Sequence, residues 1–168
     1  MAQEIEGLKE ILSKLKALPK ELGDKKRRLI LRQSAVIFKD AARRLVKVGK
    51  KSHKRYKDGK VIAEYSPGNL RESINTMTFR RARSAVFIGP RIKKGKFDAS
   101  NLTLADGYYA HMVEFGHLVK GDKGKKKVEA QPFMRPAFEN NKGLVKQDIS
   151  RRVEKVVKDW IKKNTVSK

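Results

Sequence analysis

Apolar side chains in this sequence gather into stripes at helical spacing near both ends, and this constrains the fold more than any other feature. Leu31, Ala35, Phe38, Ala42 and Leu45 recur at steps of three and four, placing them on one face of a helix predicted over residues 25–48. Gly49 stands where a C-capping glycine is expected. Val145, Ile149, Val153, Val156 and Trp160 repeat the pattern in a final helix, with Pro136 suited to its first turn. Ile5, Leu8, Leu12 and Leu15, with Ile11 and Leu18 beside them, make a third stripe that Pro19 ends or kinks, so residues 1–22 read as an N-terminal helix. Such stripes are core faces or subunit contacts; for the second helix the core is the better reading.

The middle of the chain is built of shorter pieces. Residues 61–65 alternate weakly, as a short strand does, and Ser66-Pro67-Gly68 is a turn. Asn69 with Glu72 is a capping-box signature for a helix over residues 70–74. Residues 76–80 and 85–89 fit an antiparallel hairpin, closed by Gly89-Pro90 because proline cannot donate to the ladder. A polar, lysine-rich loop covers residues 91–100. Thr103 with Asp106 then signals a helix through Tyr108, Met112 and Phe115 that stops at Gly116. With no internal repeat and no low-complexity linker, the 168 residues read as one α+β domain. The expected architecture is a small antiparallel sheet packed against helices, with helical N- and C-terminal regions.

Charge limits the partners. Forty-two Lys and Arg stand against 18 Asp and Glu, a formal net charge of +24. That field attracts polyanions and keeps subunits apart, so nucleic acid, an acidic protein or a merely solvated surface are the readings it allows. Residues 47–60, with seven Lys and Arg and one acid, and residues 117–131, with five lysines, also contain glycines and read as mobile basic loops. Cysteine is absent, excluding disulfides and cysteine-ligated zinc and suiting a reducing compartment. The longest strongly apolar run inside an element, residues 35–38, falls far short of the ~20 needed to span a bilayer. Glu4 and Glu6 break any signal-peptide pattern, so a soluble, intracellular product is expected.

Catalytic constellations are weak. His111, Glu114 and His117 come nearest to a metal motif, but a zinc-binding helix places its histidines four apart. Here they are six apart, with Gly116 between them. No serine sits in a strand-turn-helix elbow, no glycine run matches a phosphate or dinucleotide loop, and no carboxylates pair in a cleft pattern. The expectation is a non-enzyme with no metal and no cofactor. The serious rival is a nucleic-acid-binding module: Arg80, Arg81, Arg83, Arg91, Lys93, Lys94 and Lys96 flank the predicted hairpin, and Phe79 and Phe87 offer stacking faces. Core packing is the default for those two phenylalanines. Lys50, Lys51, Lys54 and Arg55 are further candidates for contact with DNA or an acidic partner.

Five blocks in fixed order carry a family resemblance. A Leu/Lys-rich segment opens the chain over residues 7–22. Next comes Pro67-Gly68-Asn69-Leu70-Arg71-Glu72-Ser73-Ile74, then Val86-Phe87-Ile88-Gly89-Pro90. Tyr109-Ala110-His111-Met112-Val113-Glu114-Phe115-Gly116 and Pro132-Phe133-Met134-Arg135-Pro136-Ala137-Phe138 complete the series. In order and spacing these blocks resemble the head–tail joining (tail-completion, minor tail or neck) proteins of long-tailed bacteriophages. Two departures stand out: Pro67-Gly68 where the family has Thr-Gly, and His117 where it often has threonine. The basic insert at residues 47–60 is also longer than usual.

The resemblance implies a structural virion protein of the neck or tail. It implies a ring, six-fold to match a tail tube, that completes the tail and joins the head connector. Implied partners are other copies of the chain, connector or stopper proteins, and tail tube or terminator proteins; DNA in the channel is a non-specific contact. It implies structural or contact roles for Leu70, Arg71, Ile74, Gly89, Pro90, Tyr109, Glu114, Phe115, Gly116, Pro132, Phe133, Arg135 and Pro136. Read physically, Val113, Phe115, Phe133 and Phe138 are expected to form one hydrophobic junction. Glu114 and Arg135 are each the sole charge of their sign in their blocks. They are expected to be separately solvated, with a Glu114–Arg135 ion pair as the other reading.

Overall fold

The computed structural model describes residues 23–78, 85–92, 105–121 and 124–165. Within them lie four helices and six strands: α1 (Gly23–Leu45), β1 (His53–Lys57), β2 (Lys60–Tyr65), α2 (Asn69–Ser73), β3 (Ile74–Met77), β4 (Phe87–Pro90), α3 (Ala110–Phe115), β5 (His117–Gly121), β6 (Gly124–Val128) and α4 (Met134–Thr165). The fold is α+β as the sequence indicates, with helical regions toward both ends. The expected single sheet is instead three separate two-stranded antiparallel ones, β1–β2, β3–β4 and β5–β6. The N-terminal stripe of residues 1–22 lies outside the described residues. None of the described helices is long and apolar enough to cross a membrane.

The chain divides into two compact units. The described part of one is residues 23–38, 76–78, 85–87 and 140–165. Its core is Ile30, Val145 and Ile149, with Leu31, Ile37, Phe38, Val153 and Val156 packed around them. The helical stripes supply these contacts, and a polar clasp joins them. Ser34, wholly buried, donates to Asp148 Oδ2 at 2.8 Å, and Arg152 Nε donates to the same oxygen at 2.6 Å. Arg152 Nη1 also reaches Gln33 Oε1 at 2.7 Å.

The other unit spans residues 39–75, 88–92, 105–121 and 124–139 among those described. Ala41, Ala42, Val46, Leu70, Ile74, Ala110, Phe133 and Ala137 form its core. The stripe of α1 is corrected here. Leu45 is 44 % exposed, and Val46, one step of four beyond Ala42, is the buried residue. The helix stops at Leu45, short of the predicted 48, and Gly49 has no left-handed backbone and caps nothing.

Both basic segments expected to be loops contribute to hairpins, the first by pairing with the short strand expected at residues 61–65. In the first, Lys57 pairs with Lys60 across Asp58 (φ 50°) and Gly59 (φ 74°), a two-residue turn with both backbones left-handed, which Asp-Gly favours. The register slips between Arg55 and Tyr56, so Ile62 of β2 has no partner. Ala63 and Tyr65 nevertheless face inward, at 3 % and 4 % exposure. In the second, β5 and β6 pair in unbroken register from His117↔Val128 to Gly121↔Gly124. Charge density masked the strand signal: Lys54, Arg55, Lys60 and Lys125 to Lys127 are all exposed strand positions.

Candidate functional site

Three of the five blocks that carry the family resemblance, residues 67–74, 109–116 and 132–138, lie in the second unit, together with Ile88-Gly89-Pro90 of a fourth; the block at residues 7–22 lies outside the described residues. Ser66 to Asn69 is a turn closed by Asn69 N–H donating to Ser66 O at 3.1 Å. Gly68 (φ 85°, ψ −7°) occupies the left-handed position of a type II turn. This turn opens α2, whose Leu70 enters the core with Ile74, the first residue of β3, while Arg71 stays exposed. The predicted capping box does not form, since no side chain caps α2. Asn69 turns to the segment before α3: its Nδ2 donates to Asp106 O at 2.6 Å and its Oδ1 accepts from Asp106 N at 3.0 Å. The carbonyls at the far end of α2 are met by Arg43, which donates to Ile74 O at 3.0 Å and to Glu72 O at 3.2 Å.

Gly89 and Pro90 end β4 as expected, and Arg91 N–H then donates to Ser73 O at 2.8 Å. Gly107 lies against this corner so closely that a Cβ there would overlap Pro90 Cβ and stand 2.5 Å from Ser73 Oγ. Helix α3 begins at Ala110, later than the Thr103/Asp106 signal suggested. Thr103 lies outside the described residues. The Asp106 carboxylate, 8 % exposed, instead accepts from Tyr108 N–H at 3.1 Å and from the Tyr65 hydroxyl at 3.0 Å.

Glu114 corrects both readings made of it. It is 8 % exposed, so it is not solvated, and it meets the backbone of Arg135 rather than the guanidinium. Its Oε2 accepts from Phe133 N–H at 2.8 Å and Met134 N–H at 3.0 Å, and its Oε1 from Arg135 N–H at 3.1 Å. One carboxylate thus satisfies the first donors of α4 and sits at the positive end of its dipole. Pro136, next in line, has no N–H to satisfy. The Arg135 side chain and Pro132 are exposed. Gly116 stops α3 at φ 74°, where a Cβ would come within 2.7 Å of Val128 O.

The expected four-residue junction holds only in part. Phe133 is 1 % exposed at the centre of the core, and Val113 packs against it. Phe138 is half-buried. Phe115 is 70 % exposed, because Ala110 and Glu114 take the inward face of α3 and leave Phe115 beside His111 on the outer one. Phe87 is likewise 45 % exposed. Phe79 lies outside the described residues.

Beside the core runs an aromatic cluster that the sequence reading missed. His53 lies 4.9 Å from Tyr65 and edge-on to Tyr109 at 4.8 Å, and Tyr108 stacks on Tyr65 at 5.4 Å. Arg55 Cζ stands 4.1 Å above the Tyr108 ring. Burial, with Asp106 alongside, pushes the Tyr65 phenol up to about 12. Burial also raises Tyr109 and lowers His53. His53, Tyr65, Tyr108 and Tyr109 lie far apart in the sequence or side by side, and their meeting is a tertiary fact.

A surface cleft of about 210 Å³ opens on the same unit. Its apolar wall includes Val46, Leu70, Tyr109, Met112, Val113 and Val128, and its cationic side carries Lys47, Lys51 and Arg71, with His53 and His117. None of those three cations has a carboxylate partner among the described residues. Glu129, the one acid of the lining, lies 3.5 Å from Lys127. Lys50, Lys54 and Arg55 are exposed nearby in sequence. Arg80, Arg81, Arg83, Lys93, Lys94 and Lys96 lie outside the described residues. Among the described residues no three His, Asp or Glu side chains are grouped to hold a metal ion.

No protein-family model matches this chain, and no curated protein or solved structure matches it either. The likeness to the head–tail joining family therefore stands on the sequence blocks alone.

Proposed function

We propose that this chain is a non-enzymatic structural protein of the bacteriophage neck or tail. It assembles as a ring, six-fold to match a tail tube, which completes the tail and joins it to the head connector. It is made in the host cytoplasm and resides in the virion, against connector or stopper proteins on one side and tail tube or terminator proteins on the other. The observation that carries this reading is the placement of the blocks. Leu70, Ile74, Ala110, Phe133 and Ala137, from three of them, share one core, and Glu114 of one block caps the helix that begins in another. Residues of this kind fix a rigid frame. Reactive side chains are not what the blocks supply, which suits a part that works by interlocking.

A second reading, binding to DNA, draws on the exposed lysines Lys125, Lys126 and Lys127 of β6 and on the net charge of +24. The deciding experiment is electron microscopy of purified particles carrying a tagged chain, beside particles from a phage lacking the gene. The tag is expected at the neck, and heads and tails are expected to remain unjoined without the gene. Normal joining without the gene, or absence of the tag from particles, overturns the proposal.

A further inference from the structure

The lining of the cleft beside α3 combines apolar side chains that suit an aliphatic anchor with Lys47, Lys51 and Arg71, which suit carboxylates flanking it. Two features say that this charge is available. The three cations lack acidic partners among the described residues, and Glu129, the one acid present, is already beside Lys127. About 210 Å³ holds an aliphatic side chain or two, not a folded domain. In a chain with a net charge of +24, the opening segment stands out. Glu4, Glu6 and Glu10 outnumber the lone Lys9, and Ile5 sits between the first two carboxylates, with Leu8 following. We infer that this segment of a second copy docks in the cleft, with Ile5 against the apolar wall and Glu4 and Glu6 toward Lys51 and Arg71. The inference rests on the ring reading and supplies its interlock: a segment on one copy and a cleft on the next form a head-to-tail contact, the kind that closes into a ring.

The absence of cysteine makes the test clean. Ile5→Cys and Met112→Cys in the full chain are treated with a short bismaleimide, using an equal mixture of isotopically light and heavy protein so that mass spectrometry separates links within one chain from links between two. The expected result is interchain linkage on the order of tenfold above that of an Ile5→Cys, Val61→Cys control, because docking raises the local concentration of the pair. Lys51→Glu with Arg71→Glu removes the excess, and adding Glu4→Lys with Glu6→Lys restores it, since reversing both sides recovers complementarity. Linkage confined to single chains, yields equal to the Val61 control, or indifference to the reversals overturns the inference. A chain located at the neck that gives no such linkage refutes this contact alone. A chain that links as described but is absent from particles refutes the neck reading instead.

Discussion

The unit around Ile149 and the unit around Phe133 are held together by different means. In the first, long stretches of α1 and α4 supply a regular stripe, and one polar clasp through Asp148 ties Ser34, Gln33 and Arg152 together. In the second, short elements are fastened one by one. Asn69 clasps Asp106, Arg43 holds the end of α2, Glu114 holds the start of α4, and Gly107 permits contact with Pro90. Stability spread over a periodic stripe falls gradually as side chains are trimmed. Stability concentrated in single fastenings falls abruptly, because each one lost leaves buried polar groups unsatisfied.

The largest effect expected is at Phe133. Phe133→Ala should cost about 3–5 kcal/mol, whereas Ile149→Val should cost about 0.5–1.5. Phe115→Ala, on the exposed face of α3, should change stability by less than about 0.5 kcal/mol. Urea unfolding of the three variants checks the order; equal losses at Phe133 and Phe115 would remove Phe133 from the core. Next comes Glu114→Ala, which strands three backbone donors at the start of α4 and should cost about 2–3 kcal/mol. Glu114→Gln should recover part of that, since its amide oxygen still accepts. Hydrogen exchange at Met134 and Arg135 reports the same loss locally, and unchanged protection there in Glu114→Ala would sink the capping role.

The first unit was largely legible in the sequence and the second only by its parts. Periodicity located Leu31, Ala35 and Phe38, and later Val145, Ile149, Val153 and Val156, because a helix repeats its inward face every three or four residues. It misplaced the end of α1 by choosing Leu45 over Val46, a difference that only the neighbouring core decides. In the second unit the turn at Pro67-Gly68, the stop at Gly116 and the end of β4 were all visible as backbone punctuation. The use of Glu114 was not, because an acid alone among apolar residues looks the same whether it meets solvent, a guanidinium or a helix terminus. The strand at residues 61–65 was legible, but its partner β1 and the whole second hairpin were read as loops because lysine is depleted in strands, although Asp58-Gly59 announced the first turn plainly.

The clasp at Asp148 gives the first unit a pH dependence on the acid side. Burial opposes ionisation there, yet hydrogen bonds from Arg152, Ser34 and Arg151 outweigh it and hold the carboxyl at about 2, below its ordinary 3.8. A carboxyl depressed by folding contributes stability that is fully present above 3.8 and is lost as pH falls toward 2. Allowing for solvent screening, that contribution is about 1–2 kcal/mol. Asp148→Asn should lower stability at pH 7 by this amount and flatten the acid limb between pH 4 and 2. The second unit answers at the other end of the scale. The Tyr65 phenol is raised to about 12, so its contribution is complete below pH 10 and fades as pH rises toward 12. Tyr65→Phe should remove that alkaline limb. Acid and alkaline titrations monitored by circular dichroism test both, and an unaltered acid limb in Asp148→Asn would show that the clasp is not what acid disrupts.

The smallest effect expected lies within the second unit and compares its two basic hairpins. An isolated two-stranded hairpin is marginally stable, so each persists only as far as it is anchored. The β1–β2 pair is anchored by Ala63 and Tyr65 in the interior and by the aromatic cluster around His53. Residues 124–127 of β6 are all exposed, and only Val128 is half-buried. Local opening should therefore be easier in β5–β6 by about 1 kcal/mol, and when cleavage is slow relative to reclosing its rate follows the open population. Trypsin should cut at Lys125, Lys126 and Lys127 several-fold sooner than at Lys54 and Arg55, read by mass spectrometry over time. Tyr65→Phe, which keeps the ring but removes the hydroxyl's hydrogen bond to Asp106, should narrow the gap. If Lys54 and Arg55 are cut first in the unaltered chain, the aromatic cluster does not hold β1–β2 down, and that hairpin behaves as the mobile loop its composition suggests.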